Sequence, residues 1–208
     1  MNLGRFSQLT HLDARAWRAP LVLALVLVAV QVLGAPVRQA LPYDRAAILG
    51  GGEYWRLVTG HLFHFDLTHL AWNLAGLALV AWLFVREFDL RGWLVILVAS
   101  TVAVDLGFLV FEPQLEWYVG FSGVLHGLMA AGLCAWLVRK PDVLTALVAV
   151  LFALKLGWEH FVGALPLTAS TLAIPVIHQA HTYGAIGGTA AALWLLRRQR
   201  QRAAVPPL

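Results

Sequence analysis

The sequence has a single cysteine and few charged residues. Cys134 is the only cysteine among 208 residues, which excludes an intramolecular disulfide and a cysteine-based metal cage. Charged residues make up 12% of the chain against 60% hydrophobic residues, and the mean hydropathy is +0.74. We also find no low-complexity segment, internal repeat or soluble domain. This is too much apolar surface for one soluble core, and we predict an all-α integral membrane protein with one domain, residues 1–208.

The sequence contains several long runs of apolar residues. A helix needs about 20 apolar residues to cross the hydrocarbon core of a bilayer. Six runs approach this length, at about 19–38, 67–85, 92–111, 122–138, 142–158 and 179–196. They predict a bundle of six transmembrane helices.

The basic residues predict that both termini are cytoplasmic, because short cytoplasmic loops carry an excess of Lys and Arg. Of the fifteen basic residues, this topology places eleven inside and four outside. The inside set includes a basic N-terminal segment, about 1–18, and a basic tail, about 197–208. The long loop at about 39–66 then lies outside. We interpret the tail as an anchor on anionic lipid rather than a nucleic-acid site. A cleaved signal peptide is the alternative for the first helix, but its removal would leave an odd number of helices.

Polar residues meet at one depth in this topology. Ser122 begins the fourth helix within "GFSGVLHG", and His181 begins the sixth within "AHTYGAIGG". His69 and Asn73 are four residues apart near the start of the second helix, on one face. Polar side chains in a membrane usually face the bundle interior or a water-filled cavity. We therefore expect these residues to converge near the outer side.

Glycines favour close packing of the same helices. Gly184 and Gly188 lie on the face of His181, and Gly123 and Gly127 form a second small-xxx-small pattern after Ser122. Such patterns let helix backbones approach closely. A hydrogen bond between a serine and a histidine on different helices requires this approach.

The residue types then suggest nucleophilic catalysis. A serine becomes a nucleophile when an adjacent base takes its proton, and burial keeps imidazole neutral and able to accept that proton. Ser122 would attack and His181 would be the base. The start of a helix favours a developing oxyanion, to which His69 and Asn73 could donate hydrogen bonds. The alternative is that Ser122 bonds to its own helix or joins two helices.

These segments resemble the rhomboid family of intramembrane serine proteases. The likeness covers "EYWRLVTGHLFHFDLTHLAWN", "GFSG" and "AHTYGAIGG", in this order. It implies a six-helix fold, a Ser122–His181 dyad without a cofactor or metal, and an oxyanion hole formed with His69 and Asn73. Gly120 and Gly123 would support the nucleophile as its motif neighbours. Trp55 and Arg56 would belong to the interfacial loop, where membrane anchoring is their simpler role.

His126 departs from most of that family, which has tyrosine here, and "SGVLHG" resembles the rhombosortase branch. That resemblance implies residence in a bacterial inner membrane with a periplasmic active site. The substrates would be exported proteins that end in Gly-Gly, a hydrophobic helix and a basic cluster. The new C-terminus would pass to water or to an acceptor. We predict that His126, one turn below Ser122, packs under His181 and holds its tautomer.

Other polar residues leave alternatives open. Asp105 could orient a histidine, although we favour a structural hydrogen bond. Lys155 and Glu159 are expected to form a snorkelling pair. A rival hypothesis is a zinc site, with ligands His64, His69, His126 and His181. The other rivals are a rhomboid protease with different transmembrane substrates and a non-catalytic protein that binds transmembrane helices.

Overall fold

The computed structural model of the chain describes residues 14–33, 35–166 and 175–203. Most of the predicted N-terminal basic segment, residues 1–13, and the end of the predicted tail, residues 204–208, lie outside the described residues. The elements in chain order are α1 Ala14–Gln31, α2 Ala35–Ala40, β1 Tyr43–Asp44, α3 Arg45–Gly51, α4 Arg56–Leu62, α5 Leu67–Phe84, α6 Leu90–Phe111, β2 Trp117–Tyr118, α7 Ser122–Arg139, α8 Val143–Phe161 and α9 Gln179–Ala203.

Four helices, α5 to α8, are long and apolar enough to cross a membrane. Three of them have an aspartate as the N-cap residue. The side chains of Asp66, Asp89 and Asp142 each accept a hydrogen bond from a backbone N–H in the first turn, which stabilises the start of the helix. The described parts of α1 and α9 overlap the first and sixth predicted spans without meeting the same criteria of length and hydropathy. The count of six spans and the cytoplasmic termini therefore stay predictions.

The predicted end of the first helix was wrong. Helix α1 ends at Gln31, whereas the apolar run predicted a helix to about residue 38. The chain begins a new helix, α2, one residue before Pro36, because proline has no N–H to continue a helix that precedes it. Helix α9 continues through the basic "RRQRQR" to Ala203, well beyond the apolar run.

Helices α7 and α9 cross at glycine-to-glycine contacts, as the small-xxx-small spacing predicts. A Cβ at Gly184 would overlap the carbonyl of Gly123, and a Cβ at Gly188 would overlap the carbonyl of Gly127. Helix α6 packs against the same pair, with Ser100 beside Gly127. This backbone contact brings the first turns of α7 and α9 together.

The region predicted as a long loop, about 39–66, is instead folded into β1, α3 and α4. Strand β1 pairs antiparallel with β2, joining Tyr43 to Tyr118 and Asp44 to Trp117. Arg56 is buried, and its guanidinium donates to Pro42 O at 2.8 Å and to Glu53 Oε2 at 2.6 Å. The role of Arg56 is thus to fasten this region internally, not to anchor it in lipid.

Candidate active site

Ser122 and His181 form a direct hydrogen bond. Ser122 is the first residue of α7, and its Oγ lies 3.0 Å from Nε2 of His181, the third residue of α9. Only 4% of His181 is exposed. The distance is that of a hydroxyl donating to a ring nitrogen, and a neutral imidazole at this distance can remove the hydroxyl proton.

Glycines on each side of Ser122 permit this geometry. Gly120 has φ 118°, a conformation that other residues rarely adopt, and a Cβ there would overlap the ring of His69. A Cβ at Gly123 would press on Ala180, which precedes His181. Gly120 therefore lets His69 approach the nucleophile turn, and Gly123 lets α9 approach it.

Glu159, from α8, completes the hydrogen bonding of His181. Its Oε2 lies 2.8 Å from His181 Nδ1, and only 1% of the residue is exposed. Lys155 Nζ donates to the same oxygen at 2.6 Å. The predicted pair of Lys155 and Glu159 is present, but the expectation that it snorkels was wrong for Glu159. The Glu159 carboxylate can lie inside the bundle because the Lys155 ammonium and the His181 Nδ1–H both donate hydrogen bonds to it.

His126 lies against His181 and closes a ring of hydrogen bonds. The two imidazoles stack with centroids 3.9 Å apart. His126 Nδ1 lies 2.7 Å from the carbonyl oxygen of Ser122, and its Nε2 contacts Lys155 Nζ. His126 thus packs on the ring of His181, while its hydrogen bonds go to Ser122 and Lys155.

One assignment of protons satisfies this whole ring. Ser122 donates to His181 Nε2, and His181 Nδ1–H donates to Glu159. Lys155 donates both to Glu159 and to His126 Nε2. His126 Nδ1–H then donates to the carbonyl of Ser122. Both imidazoles are neutral in this assignment, and each has the tautomer that its partners require.

His69 and Asn73 line the same cavity as Ser122, which has a volume of about 450 Å³. The cavity also contains His126, Lys155 and Glu159. Asn73 Nδ2 donates to the backbone oxygen of His69 at 2.9 Å. Because a side-chain amide nitrogen carries two hydrogens, one remains available for a group in the cavity.

Tyr118 supports the turn that leads into α7. Its hydroxyl donates to Gly120 O at 2.7 Å. Burial raises the pKa of Tyr118, so the hydroxyl remains a neutral donor. Gly120 N in turn donates to Gly60 O at 2.9 Å. The turn before Ser122 is therefore fixed by hydrogen bonds at both the carbonyl and the N–H of Gly120.

Asp105 and His64 lie away from this hydrogen-bonded ring. Asp105 accepts from His61 Nε2 at 3.1 Å, which is the structural role that the sequence favoured for it. His64 is fully buried, with its ring 5.0 Å from that of His69. Burial, and secondarily His69, lowers the pKa of His64 to about 3. His64 is thus neutral at physiological pH.

The residues proposed as zinc ligands do not form one group. Among the described residues, the ligand atoms that come within 4.8 Å of one another belong to His126, Glu159 and His181; His64 and His69 are outside this group. Lys155 Nζ already bonds to His126 and Glu159. An ammonium group therefore sits where a cation would have to bind.

Comparisons of the sequence with known proteins show which family the chain resembles. Residues 51–198, most of the chain, match the rhomboid domain. The chain is 28% identical over 159 residues to "Putative rhomboid protease YdcA" of Bacillus subtilis, covering 74% of this chain and 73% of that protein. It is 27% identical over 154 residues to "Rhomboid protease GluP" of the same organism, covering 72% of this chain and 28% of that protein. The chain belongs to the rhomboid family, whose members are intramembrane serine proteases.

Proposed function

We propose that the chain is an intramembrane serine endopeptidase in which Ser122 is the nucleophile and His181 is the general base. The observation that carries this proposal is the 3.0 Å contact from Ser122 Oγ to His181 Nε2 at the wall of a cavity. Membership of a family of intramembrane serine proteases supports the same reaction.

The reaction begins with attack of Ser122 Oγ on the carbonyl carbon of the scissile peptide. The hydroxyl proton moves to His181 Nε2 as the O–C bond forms. The protonated imidazole then gives this proton to the leaving amine as the C–N bond breaks, which leaves an acyl-enzyme. Water, or an amine acceptor, loses a proton to His181 and attacks the ester carbonyl. His181 returns that proton to Ser122 Oγ as the bond from Oγ to the acyl carbon breaks, which releases the product and restores Ser122.

The negative charge on the carbonyl oxygen needs donors on the cavity side of Ser122. The N-terminus of α7 begins at Ser122, and the positive end of a helix dipole stabilises an oxyanion. Asn73 has a second amide hydrogen, and His69 lies beside the turn at Gly120. We assign the oxyanion hole to the Ser122 backbone, His69 and Asn73, with Gly120 and Gly123 keeping the turn open.

The substrates we propose are exported proteins with a C-terminal Gly-Gly, a hydrophobic helix and a basic cluster. The support for this rhombosortase-like specificity is "SGVLHG" with its His126. The apolar runs support six spans, and the distribution of basic residues supports cytoplasmic termini. The resemblance to the rhombosortase branch supports a bacterial inner membrane with a periplasmic active site.

A rhomboid protease with other transmembrane substrates is the second candidate. The two similar proteins from Bacillus subtilis both carry the name rhomboid protease, which favours this candidate. The two candidates share Ser122 and His181 and differ in the sequence they cut. A reporter with Gly-Gly, a transmembrane helix and a basic tail distinguishes them when it is compared with the same reporter carrying Val-Val.

The test of the reaction itself is labelling of the purified protein in detergent with a fluorophosphonate, detected by intact mass. We expect one adduct on the wild type and none on Ser122→Ala, with His181→Ala labelled at least about 10²-fold more slowly. A folded wild type that takes no label would overturn the proposal in favour of a helix-binding protein. Loss of reporter cleavage with a chelator would favour a metal enzyme.

A further inference from the structure

We propose that Glu159 is a positioning residue of the active site, so that the catalytic unit is Ser122–His181–Glu159 and not a two-residue dyad. This inference rests on the proposed function and adds a third member that the sequence resemblance does not contain. Its basis is the 2.8 Å contact between Glu159 Oε2 and His181 Nδ1.

The burial of Glu159 runs against the character of its helix. Helix α8 is apolar, and its buried residues in the described structure are Thr145 and Glu159. Many of its large apolar residues face outward, including Leu147, Leu151 and Leu154, while Val148 and Phe152 are partly buried against the core. A carboxylate is costly to bury in a membrane protein and usually marks function. Helix α8 therefore directs its least lipid-soluble side chain inward, toward a single histidine.

The contact fixes which nitrogen of His181 carries the proton. A carboxylate only accepts hydrogen bonds, so Glu159 selects the tautomer with hydrogen on Nδ1. Nε2 is then the unprotonated nitrogen, and it faces Ser122 at 3.0 Å. When Nε2 takes the serine proton, the ring becomes a cation that Glu159 stabilises. A carboxylate has this role in soluble serine proteases.

Lys155 keeps the carboxylate in place before the reaction starts. Its ammonium donates to Glu159 Oε2 at 2.6 Å and contacts His126 on its other side. The pair is formally neutral, which reduces the cost of burying either charge. His126 in turn stacks on the ring of His181. Lys155 therefore contacts both of the side chains that support His181, namely Glu159 and His126.

Besides Lys155 on α8, the other titratable groups near His181 come from α7, from α5 and from the segment just before α9. His126 on α7 stacks on it, and His178, just before α9, and His69 on α5 interact with it electrostatically. Among the carboxylates in the described structure, Glu159 is the one that hydrogen-bonds to His181. Asp105, the acid that the sequence offered for this role, bonds to His61.

The test measures fluorophosphonate labelling of Ser122 in Glu159→Gln and Glu159→Ala, separating the maximal labelling rate from the half-saturating probe concentration. We expect the maximal rate to fall by up to about 10⁴-fold, the effect of losing the carboxylate that orients a catalytic histidine, with the half-saturating concentration changed less than about threefold. Formate should restore part of the rate of Glu159→Ala, because the cavity reaches this position. Formamide, which has a similar shape and no charge, should not.

The matched control is Glu87→Gln. Glu87 is another carboxylate with little exposure, and it accepts from Trp136 and Arg139 at the opposite end of α7. Its loss should leave labelling unchanged. A second variant, Lys155→Met with Glu159→Gln, removes both charges and leaves no unpaired buried ion, which gives a folded protein to test if Glu159→Gln does not fold.

The outcomes separate the two proposals. A wild type that takes no label contradicts the serine-protease function. A wild type that is labelled at Ser122, while the folded Glu159 variants react at the same maximal rate, overturns the role of Glu159 alone. Equal rescue by formate and formamide also overturns it, since that result would mean that Glu159 only fills space.

Discussion

The imidazole rings of His126 and His181 stack almost parallel, with centroids 3.9 Å apart and planes inclined by 13°. His126 lies one helical turn beyond Ser122, and it bonds to the carbonyl of that serine. The stacked ring therefore contacts the proposed general base through its face and the backbone of the proposed nucleophile through its Nδ1 atom.

Replacing His126 separates the effect of stacking from that of hydrogen bonding. His126→Phe keeps a flat ring against His181 but leaves the Ser122 carbonyl and Lys155 without their partner. Because a buried polar group left unsatisfied costs about 1–3 kcal/mol, we expect labelling of Ser122 about tenfold slower than in the wild type. His126→Ala should be slower still. A Phe variant as fast as the wild type would mean that only stacking matters.

Removing Lys155 should expose a site for zinc. In Lys155→Met the ligand atoms of His126, Glu159 and His181, all within 4.8 Å of one another, no longer share an ammonium group. Two imidazoles and a carboxylate are ligands that zinc accepts. We expect micromolar zinc to block labelling of this variant and a chelator to reverse the block. The wild type and Lys140→Met, changed at the far end of α7, should be unaffected. Resistance of Lys155→Met to zinc would show that the three side chains cannot close around an ion.

Gly184→Ala tests the contact between α7 and α9. The added methyl would overlap the carbonyl of Gly123, and a backbone carbonyl cannot move without shifting its helix. Overpacking typically costs about 1–3 kcal/mol, and we expect the upper end, seen as a lower midpoint of thermal unfolding in detergent. Gly157→Ala on α8 is the control, because a Cβ there meets nothing within 4 Å. Equal midpoints for the two variants would contradict the close crossing.

Gly120→Ala tests the turn before the nucleophile. Its methyl would enter the ring of His69, whereas Gly163→Ala places a methyl in open space with nearly the same φ, 120° against 118°. Both variants carry the backbone strain of a left-handed residue, about 1–3 kcal/mol. Only Gly120→Ala should also slow labelling, by about 10²-fold, the effect of losing an oxyanion donor. Equal labelling rates for the folded variants would remove His69 from the proposed oxyanion hole.

The sequence predicted the features that depend on the length or the periodicity of single helices. Apolar runs indicated α5 to α8 within a few residues, and the spacing of Gly123, Gly127, Gly184 and Gly188 indicated which faces of α7 and α9 meet. The convergence of Ser122 with His181 followed from equal depth in the membrane. Each of these inferences uses the length or the periodicity of a single helix.

The position of Glu159 required information that no single helix contains. Helix α8 is apolar around most of its circumference, so its sequence does not indicate which face turns inward. A lysine and a glutamate four residues apart have the spacing of a solvated surface pair. The feature that could have identified Glu159 is its place near the end of α8 that lies at the depth of His181. Its rotation is fixed by contacts with α7 and α9.

The folded region at 39–66 was missed for a related reason. Strand β1 has two residues, and its partner β2 lies more than 70 positions later. Such a pair has no detectable period of its own. The Arg56 contacts with the carbonyls of residues before β1 are equally remote from any pattern in the sequence.

The pairing of Tyr43 with Tyr118 means that the segment around Ser122 cannot keep its shape when it is moved alone into another protein. The turn into Ser122 takes its shape from chain segments far upstream, through β1 and through the hydrogen bond from Gly120 to Gly60. Transplanting residues 117–127 into another helical bundle would carry the serine and leave its scaffold behind. A graft that keeps the shape of this turn would have to include residues 43–60 as well, so the turn itself is built from two distant pieces of chain.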